Sequence, residues 1–141
     1  RYALMKLDGQ DFQALTGGTH LQGFLENRAK KLHPVNAWIL TELSTLAEKV
    51  NAAIEEFRLN DSAMGLYHFI WNEYCDWYIE FSKELLQSQD TELVAETKAT
   101  LLFALEQMLV IAHPLIPFIT EEIYQNLPQK NKELLMIEEW E

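Results

Sequence analysis

Hydrophobic residues recur every three or four positions along most of this chain, the spacing that places side chains on one face of an α-helix. One such series between residues 35 and 57 consists of Ile39, Leu43, Leu46, Val50, Ile54 and Phe57. A second series consists of Ala63, Tyr67, Ile70, Tyr74, Trp77, Phe81 and Leu85, and Asn60 or Asp61 is expected to cap its helix. Strand-like alternation is absent from the sequence, which therefore predicts an all-α protein.

The remaining segments predict shorter or less regular elements. They are the end of a helix at residues 1–7, a glycine-containing loop at 8–22, a short helix at 23–32, a long helix from Asp90 or Thr91 to about His113, a short helix from Pro117 to Leu127, and an extended segment at 134–137. Together the elements predict a helical bundle of about four main helices plus short helices. We expect residues 1–141 to form a single domain, cut from a longer chain because the sequence begins with Arg1.

Residues 67–83 form a dense aromatic run, in which eight of seventeen residues are aromatic or histidine and none is proline or glycine. The run is expected to continue as one uninterrupted helix at the centre of the bundle. On this interpretation Trp71, Tyr74, Trp77 and Tyr78 belong to the core, because rings at helical spacing usually pack together.

Composition narrows the classes of function. The net charge is −11, yet the first 36 residues contain five Lys or Arg against three acids, whereas the remainder contains six against nineteen. Because phosphate contacts need cations, we expect no binding to DNA, and any RNA contact should lie within those first 36 residues. The alternative is that the acidic charge only maintains solubility. A single cysteine, no signal peptide and no membrane-length apolar run together predict a cytoplasmic protein without membrane contact. We also expect the protein to be a monomer.

The sequence shows no catalytic, cofactor-binding or metal-binding constellation. Its four histidines lack metal-ligand spacing, and Cys75 is expected to be a small packed group rather than a nucleophile. A free-standing helical enzyme would need a polar cluster with shifted pKa values inside the bundle, for which the sequence offers no candidate.

Residues 113–124, His-Pro-Leu-Ile-Pro-Phe-Ile-Thr-Glu-Glu-Ile-Tyr, predict a helix end, a proline bend and a new helix start. This segment resembles the anticodon-binding domain of class I aminoacyl-tRNA synthetases of the valine, isoleucine and leucine group. The aromatic run, with Trp-Asn-Glu-Tyr-Cys-Asp-Trp-Tyr, is similar to that of the valyl enzymes, and residues 1–5 and 38–40 also fit them. The resemblance implies recognition of valine tRNA within a parent enzyme that attaches valine using ATP and Mg²⁺. It also implies that the catalytic, editing and coiled-coil domains lie outside these residues.

The resemblance suggests four tRNA-binding residues. Arg1 and Lys6 are expected to meet phosphates or bases, Asn36 to bond a base edge, and Trp38 either to stack on a base or to pack in the core. The chain has Asn36 and Ala37 where the family usually has aspartate and arginine, which removes one possible contact. Two alternatives stay open. One is the corresponding domain of an isoleucyl or leucyl enzyme, and the other is a helical protein-interaction module with no role in RNA binding.

Overall fold

The computed structural model describes residues 1–7, 21–28, 31–128 and 132–137, and in these ranges the chain is helical and has no strand. The elements are α1 (Tyr2–Leu7), α2 (Leu21–Asn27), α3 (Pro34–Glu55), α4 (Leu59–His68), a π-helix (Phe69–Tyr78), α5 (Ile79–Leu85), α6 (Thr91–Ala112), α7 (Pro117–Gln125) and a 3₁₀-helix (Leu135–Ile137). The predicted all-α bundle is confirmed. Most of the predicted loop at 8–22 lies outside the described residues.

Helix α6 is the central element. Thirteen of its 22 residues are buried, compared with three of ten in the π-helix, and α1, α2, α3, α5 and α7 all pack against it. The prediction that the aromatic run occupies the centre is therefore wrong. The physical reason is that α6 carries apolar side chains on nearly every face between Ala99 and Ala112, as a helix enclosed by others requires.

The aromatic run is continuous, as predicted, but its middle is a π-helix, so its backbone bonds join residues five apart. The bond from the Ile79 N–H to the Tyr74 carbonyl is one of them. The extra residue changes which side chains face inward. The buried positions are Ser62, Leu66, Phe69, Tyr74, Tyr78 and Ser82, with a step of five where a regular α-helix would have three or four.

This change of register divides the predicted aromatic core. Tyr74 and Tyr78 are buried as predicted, whereas Trp71 and Trp77 are each 57% exposed, so that part of the prediction is wrong. The exposed rings form two stacked pairs, Tyr67 with Trp71 at 6.3 Å between centroids and Trp77 with Phe81 at 5.9 Å.

The helix starts test the predicted capping residues. Asp90 caps α6 as predicted. Its carboxylate accepts hydrogen bonds from the Glu92 N–H at 3.0 Å and from the Leu93 N–H at 3.3 Å. Pro117 occupies the first turn of α7. Helix α4 instead follows Arg58 and has no side-chain cap, so the prediction of Asn60 or Asp61 in that role is wrong. Asp61 instead pairs with the Arg58 guanidinium.

Two short elements differ from their predictions. The short helix predicted at 23–32 begins at Leu21 and ends at Asn27. Residues 135–137 form a 3₁₀ turn rather than an extended segment. The first residue of this turn, Leu135, is buried. Its N–H donates to the Glu121 carboxylate at 3.0 Å, which ties the turn to α7.

Candidate functional site

Two of the predicted residues, Arg1 just before α1 and Lys6 within it, are exposed at the surface. Ala3 and Leu7 are the buried side of α1, while Arg1, Met5 and Lys6 are exposed. This division follows from the three-to-four-residue spacing of the helix. Residues 1–7 contain no Asp or Glu, so α1 presents positive charge on a chain whose net charge is −11.

Arg1 lines a groove between α1 and α7. The groove has a volume of about 450 Å³ and is lined by Arg1, Leu4, Met5, Glu122, Ile123, Asn126 and Pro128. That volume lies within the roughly 300–1,000 Å³ typical of ligand-binding clefts. The lining combines an apolar floor with one guanidinium, one carboxylate and one amide, which are donors and acceptors suited to a polar ring.

Tyr2 lies beside two lysines that come from distant parts of the chain. The Lys6 Nζ is 5.8 Å from the centroid of the Tyr2 ring, and the Lys83 Nζ is 5.4 Å from the same centroid. Both distances are within the range of a cation–π contact. Sequence reasoning missed Lys83, because it belongs to α5 and no local motif indicates that α5 reaches α1.

Asn36 is fully buried, and protein groups occupy its amide. Its Nδ2 donates to the Glu96 carboxylate at 2.6 Å and to the Thr97 hydroxyl at 3.2 Å, and its Oδ1 accepts from the Tyr78 hydroxyl at 2.8 Å. The prediction that this amide meets a base edge does not match the placement, because the side chain faces the core and not the solvent.

Glu96 is the centre of this buried network. Besides Asn36, its carboxylate accepts from the His33 N–H at 2.9 Å and from the Arg28 Nε at 3.4 Å. Burial raises the pKa of the Tyr78 hydroxyl well above its usual range. The expectation that the bundle contains no such polar cluster is therefore wrong. Because Asn36, Tyr78 and Glu96 are all at most 1% exposed, the cluster is closed to a substrate and holds α3, α6 and the π-helix together.

Trp38 lies one half-turn beyond Asn36 on α3 and is half-buried. Part of its ring packs against the hydrophobic core, and part remains accessible. The placement is compatible with both predicted roles of Trp38, base stacking and core packing.

The described residues contain neither a membrane-spanning helix nor a metal-binding cluster. None of the helices there combines the length and the apolar character needed to cross a membrane. No group of three or more His, Cys, Asp or Glu side chains in the described ranges is arranged to hold a metal ion.

Comparison with known proteins identifies the family. Residues 36–141 match the anticodon-binding domain of tRNA ligase. Relatives include the Valine--tRNA ligases of Ruegeria pomeroyi, 46% identical over 106 residues, and Syntrophotalea carbinolica, 42% identical over 128 residues. These alignments cover 75% and 91% of this chain but 10% and 13% of the respective relatives, so the chain spans only a small part of their length. The resemblance found in the aromatic run and in residues 113–124 is thereby confirmed, and the chain belongs to the anticodon-binding domains of tRNA ligases.

Proposed function

We propose that residues 1–141 are one domain of a valine–tRNA ligase and that this domain binds the anticodon loop of valine tRNA. The observation that carries the proposal is the family match over residues 36–141, joined to relatives named Valine--tRNA ligase. The parent enzyme would act in the cytoplasm as a monomer and attach valine using ATP and Mg²⁺. That chemistry would belong to domains outside this chain, which contributes recognition.

The exposed cations of α1 support the choice of surface. Arg1 and Lys6 are exposed in residues 1–7, a segment that has two cations and no acid. RNA phosphates bind Lys and Arg side chains. In a chain of net charge −11, we therefore expect RNA to bind where exposed cations have no acidic neighbour in the same segment. The groove beside Arg1 offers room for an unstacked loop base, the form in which RNA loops are usually read.

Trp38 is retained as a stacking residue. An accessible part of an indole ring can receive a loop base, an interaction worth about 1–3 kcal/mol per base. Asn36 is not part of this proposal, since its amide is bound to Glu96, Thr97 and Tyr78.

The proposal is tested by titrating the full-length ligase that contains this chain with valine, isoleucine and leucine anticodon stem-loops at several salt concentrations. We expect preference for the valine stem-loop. Arg1→Ala and Lys6→Ala should each weaken binding and reduce the slope of log K against log salt by about 0.7–0.9, the contribution of one phosphate contact. Lys49→Ala, which removes an exposed cation of α3, is the matched control and should change neither value.

Trp38→Ala separates the two roles of that residue. If Trp38 stacks on a base, the affinity falls by about 5- to 100-fold with an unchanged salt slope and a nearly unchanged thermal midpoint. A large fall in the midpoint with normal affinity would assign Trp38 to the core instead.

The same titration tests the alternatives. Preference for the isoleucine or leucine stem-loop would show that the domain belongs to an isoleucine– or leucine–tRNA ligase. Absence of salt-sensitive binding to any stem-loop would contradict the RNA role and favour a protein-interaction module.

A further inference from the structure

The contact between α1 and α5 gathers two ammonium groups at one aromatic ring. Lys6 and Lys83 both place their Nζ atoms within 5.8 Å of the Tyr2 centroid, although they are 77 positions apart in the sequence. An aromatic ring attracts a cation through the negative charge of its π-face. Tyr2 therefore lies beside one lysine of α1 and one lysine of α5, so the positive charge of α1 continues onto α5.

Lys83 can exchange its present partner for such an anion. Its Nζ pairs with the Glu80 carboxylate one turn earlier on α5, and the two side chains are 42% and 62% exposed. An ion pair this open to water contributes little to stability. The Lys83 ammonium can therefore leave Glu80 and bind an external anion with little loss of stability.

The chemistry of the site favours a phosphate group. Ammonium groups are compact donors with no acceptor atom, so they bind phosphate oxygens as point charges. The neighbouring segment, residues 1–7, adds the Arg1 guanidinium and no carboxylate.

We propose that Lys6 and Lys83, which both lie beside the Tyr2 ring, bind backbone phosphates of RNA, so that the RNA surface extends from α1 onto α5. This inference rests on the proposed function and adds to it a contact from α5, outside the first 36 residues. Contacts of this kind fix the position and orientation of the RNA, while bases read elsewhere supply the sequence preference.

The test uses Lys83→Met in the full-length ligase, because methionine keeps much of the aliphatic stem and removes the charge. Binding of a valine anticodon stem-loop is measured from about 50 to 200 mM salt, where we expect the salt slope to fall by about 0.7–0.9. Lys49→Met is the control and should retain the wild-type slope. Lys83→Arg should also retain it, since arginine keeps the positive charge.

Glu80→Gln gives a prediction of opposite sign. Removing the competing carboxylate frees Lys83 for phosphate, so the stem-loop should bind about 2- to 5-fold more tightly at low salt, a gain of the size expected from losing one exposed ion pair. A weaker complex after this change would contradict the proposal.

Two further outcomes would overturn it. The first is a wild-type slope in Lys83→Met, and a thermal midpoint that also falls by several degrees would make Lys83 only an anchor for α1. The second is a salt slope that falls in Lys49→Met as much as in Lys83→Met, which would make the loss a general effect of charge. Binding without anticodon preference, but with a slope that depends on Lys83, would contradict the proposed function and leave the phosphate site supported. If the wild-type ligase binds no RNA hairpin, both are contradicted.

Discussion

At the scale of single residues, Asn36 shows how one amide organises a buried carboxylate. Glu96 is buried and ionisable, and its negative charge is compensated by Arg28, by the His33 N–H and by Asn36. The amide oxygen of Asn36 at the same time accepts the Tyr78 hydroxyl. A buried polar network of this kind is favourable only when every member has a partner, so each member depends on the others.

Asn36→Ala should therefore be costly to stability rather than to RNA contacts. It leaves the Tyr78 hydroxyl without its acceptor and removes the shortest bond to the buried Glu96 carboxylate, which predicts a loss of about 2–4 kcal/mol in the free energy of unfolding. Urea denaturation measures this loss. Asn51→Ala, at an exposed position of the same helix, is the control and should cost less than about 0.5 kcal/mol. A loss below about 1 kcal/mol at Asn36 would show that the network contributes little.

At the scale of elements, the π-helix decides which aromatic rings are available to the surroundings. Its bonds between residues five apart insert one extra position between Phe69 and Tyr74 in the inward-facing series. As a result Tyr74 and Tyr78 of the aromatic run are buried, and Trp71 and Trp77 are exposed. The hydroxyls of the two tyrosines donate to the Leu101 carbonyl and to the Asn36 amide oxygen. Tyrosines suit the inner position because each hydroxyl finds an acceptor there.

Two phenylalanines, Phe69 and Phe81, test which side chains of the aromatic run face inward. Phe69 is 4% exposed and Phe81 is 42% exposed, so Phe69→Ala should destabilise the protein by about 3–5 kcal/mol and Phe81→Ala by less than about 1.5 kcal/mol. A regular α-helix with the predicted face would give the reverse order, because Phe81 belongs to that face and Phe69 does not. Urea unfolding of both variants therefore decides between the two registers.

The same helix shows what the sequence could and could not predict. Spacing of apolar residues located the long helices, and residue type located the Asp90 cap of α6 and the first-turn Pro117 of the short helix α7, since all of these depend on neighbours in the chain. The spacing predicted burial of Trp71 and Trp77 wrongly, because a regular 3.6-residue period does not contain the single step of five residues between Phe69 and Tyr74. Contacts such as Asn36 with Glu96 and Tyr2 with Lys83 link residues 60 or more positions apart and depend on packing that no local pattern records.

At the scale of the whole molecule, positive charge is confined to few places. The chain carries −11 overall, and Arg28 and Arg58 are already paired with carboxylates. The proposed RNA surface thus relies on a small number of cations around α1. We therefore expect modest salt slopes for this domain's own contribution, since each phosphate contact adds only about 0.7–0.9.

Stability of the whole bundle should also depend on pH in the alkaline range. Burial raises the pKa values of Tyr74 and Tyr78 in the folded protein above the ordinary value of 10.0. A group whose pKa is raised by folding stabilises the protein fully below its unfolded pKa, and this contribution is lost as pH rises. Above about pH 10 the unfolded chain releases both protons while the folded chain retains them, so the free energy of unfolding should fall by up to about 1.4 kcal/mol per pH unit for each tyrosine.

Replacing one of these tyrosines should remove its share of that dependence. Tyr74→Phe removes one titrating group and also the bond to the Leu101 carbonyl, so the variant should be less stable at pH 7 yet lose stability more slowly above pH 10. Tyr67→Phe changes a ring that is 62% exposed and should leave the alkaline slope as in the wild type. Urea denaturation at intervals between pH 8 and about pH 11.5 measures all three slopes. Equal slopes for the wild type and Tyr74→Phe would mean that Tyr74 ionises as readily in the folded bundle as in the unfolded chain, and would contradict the prediction.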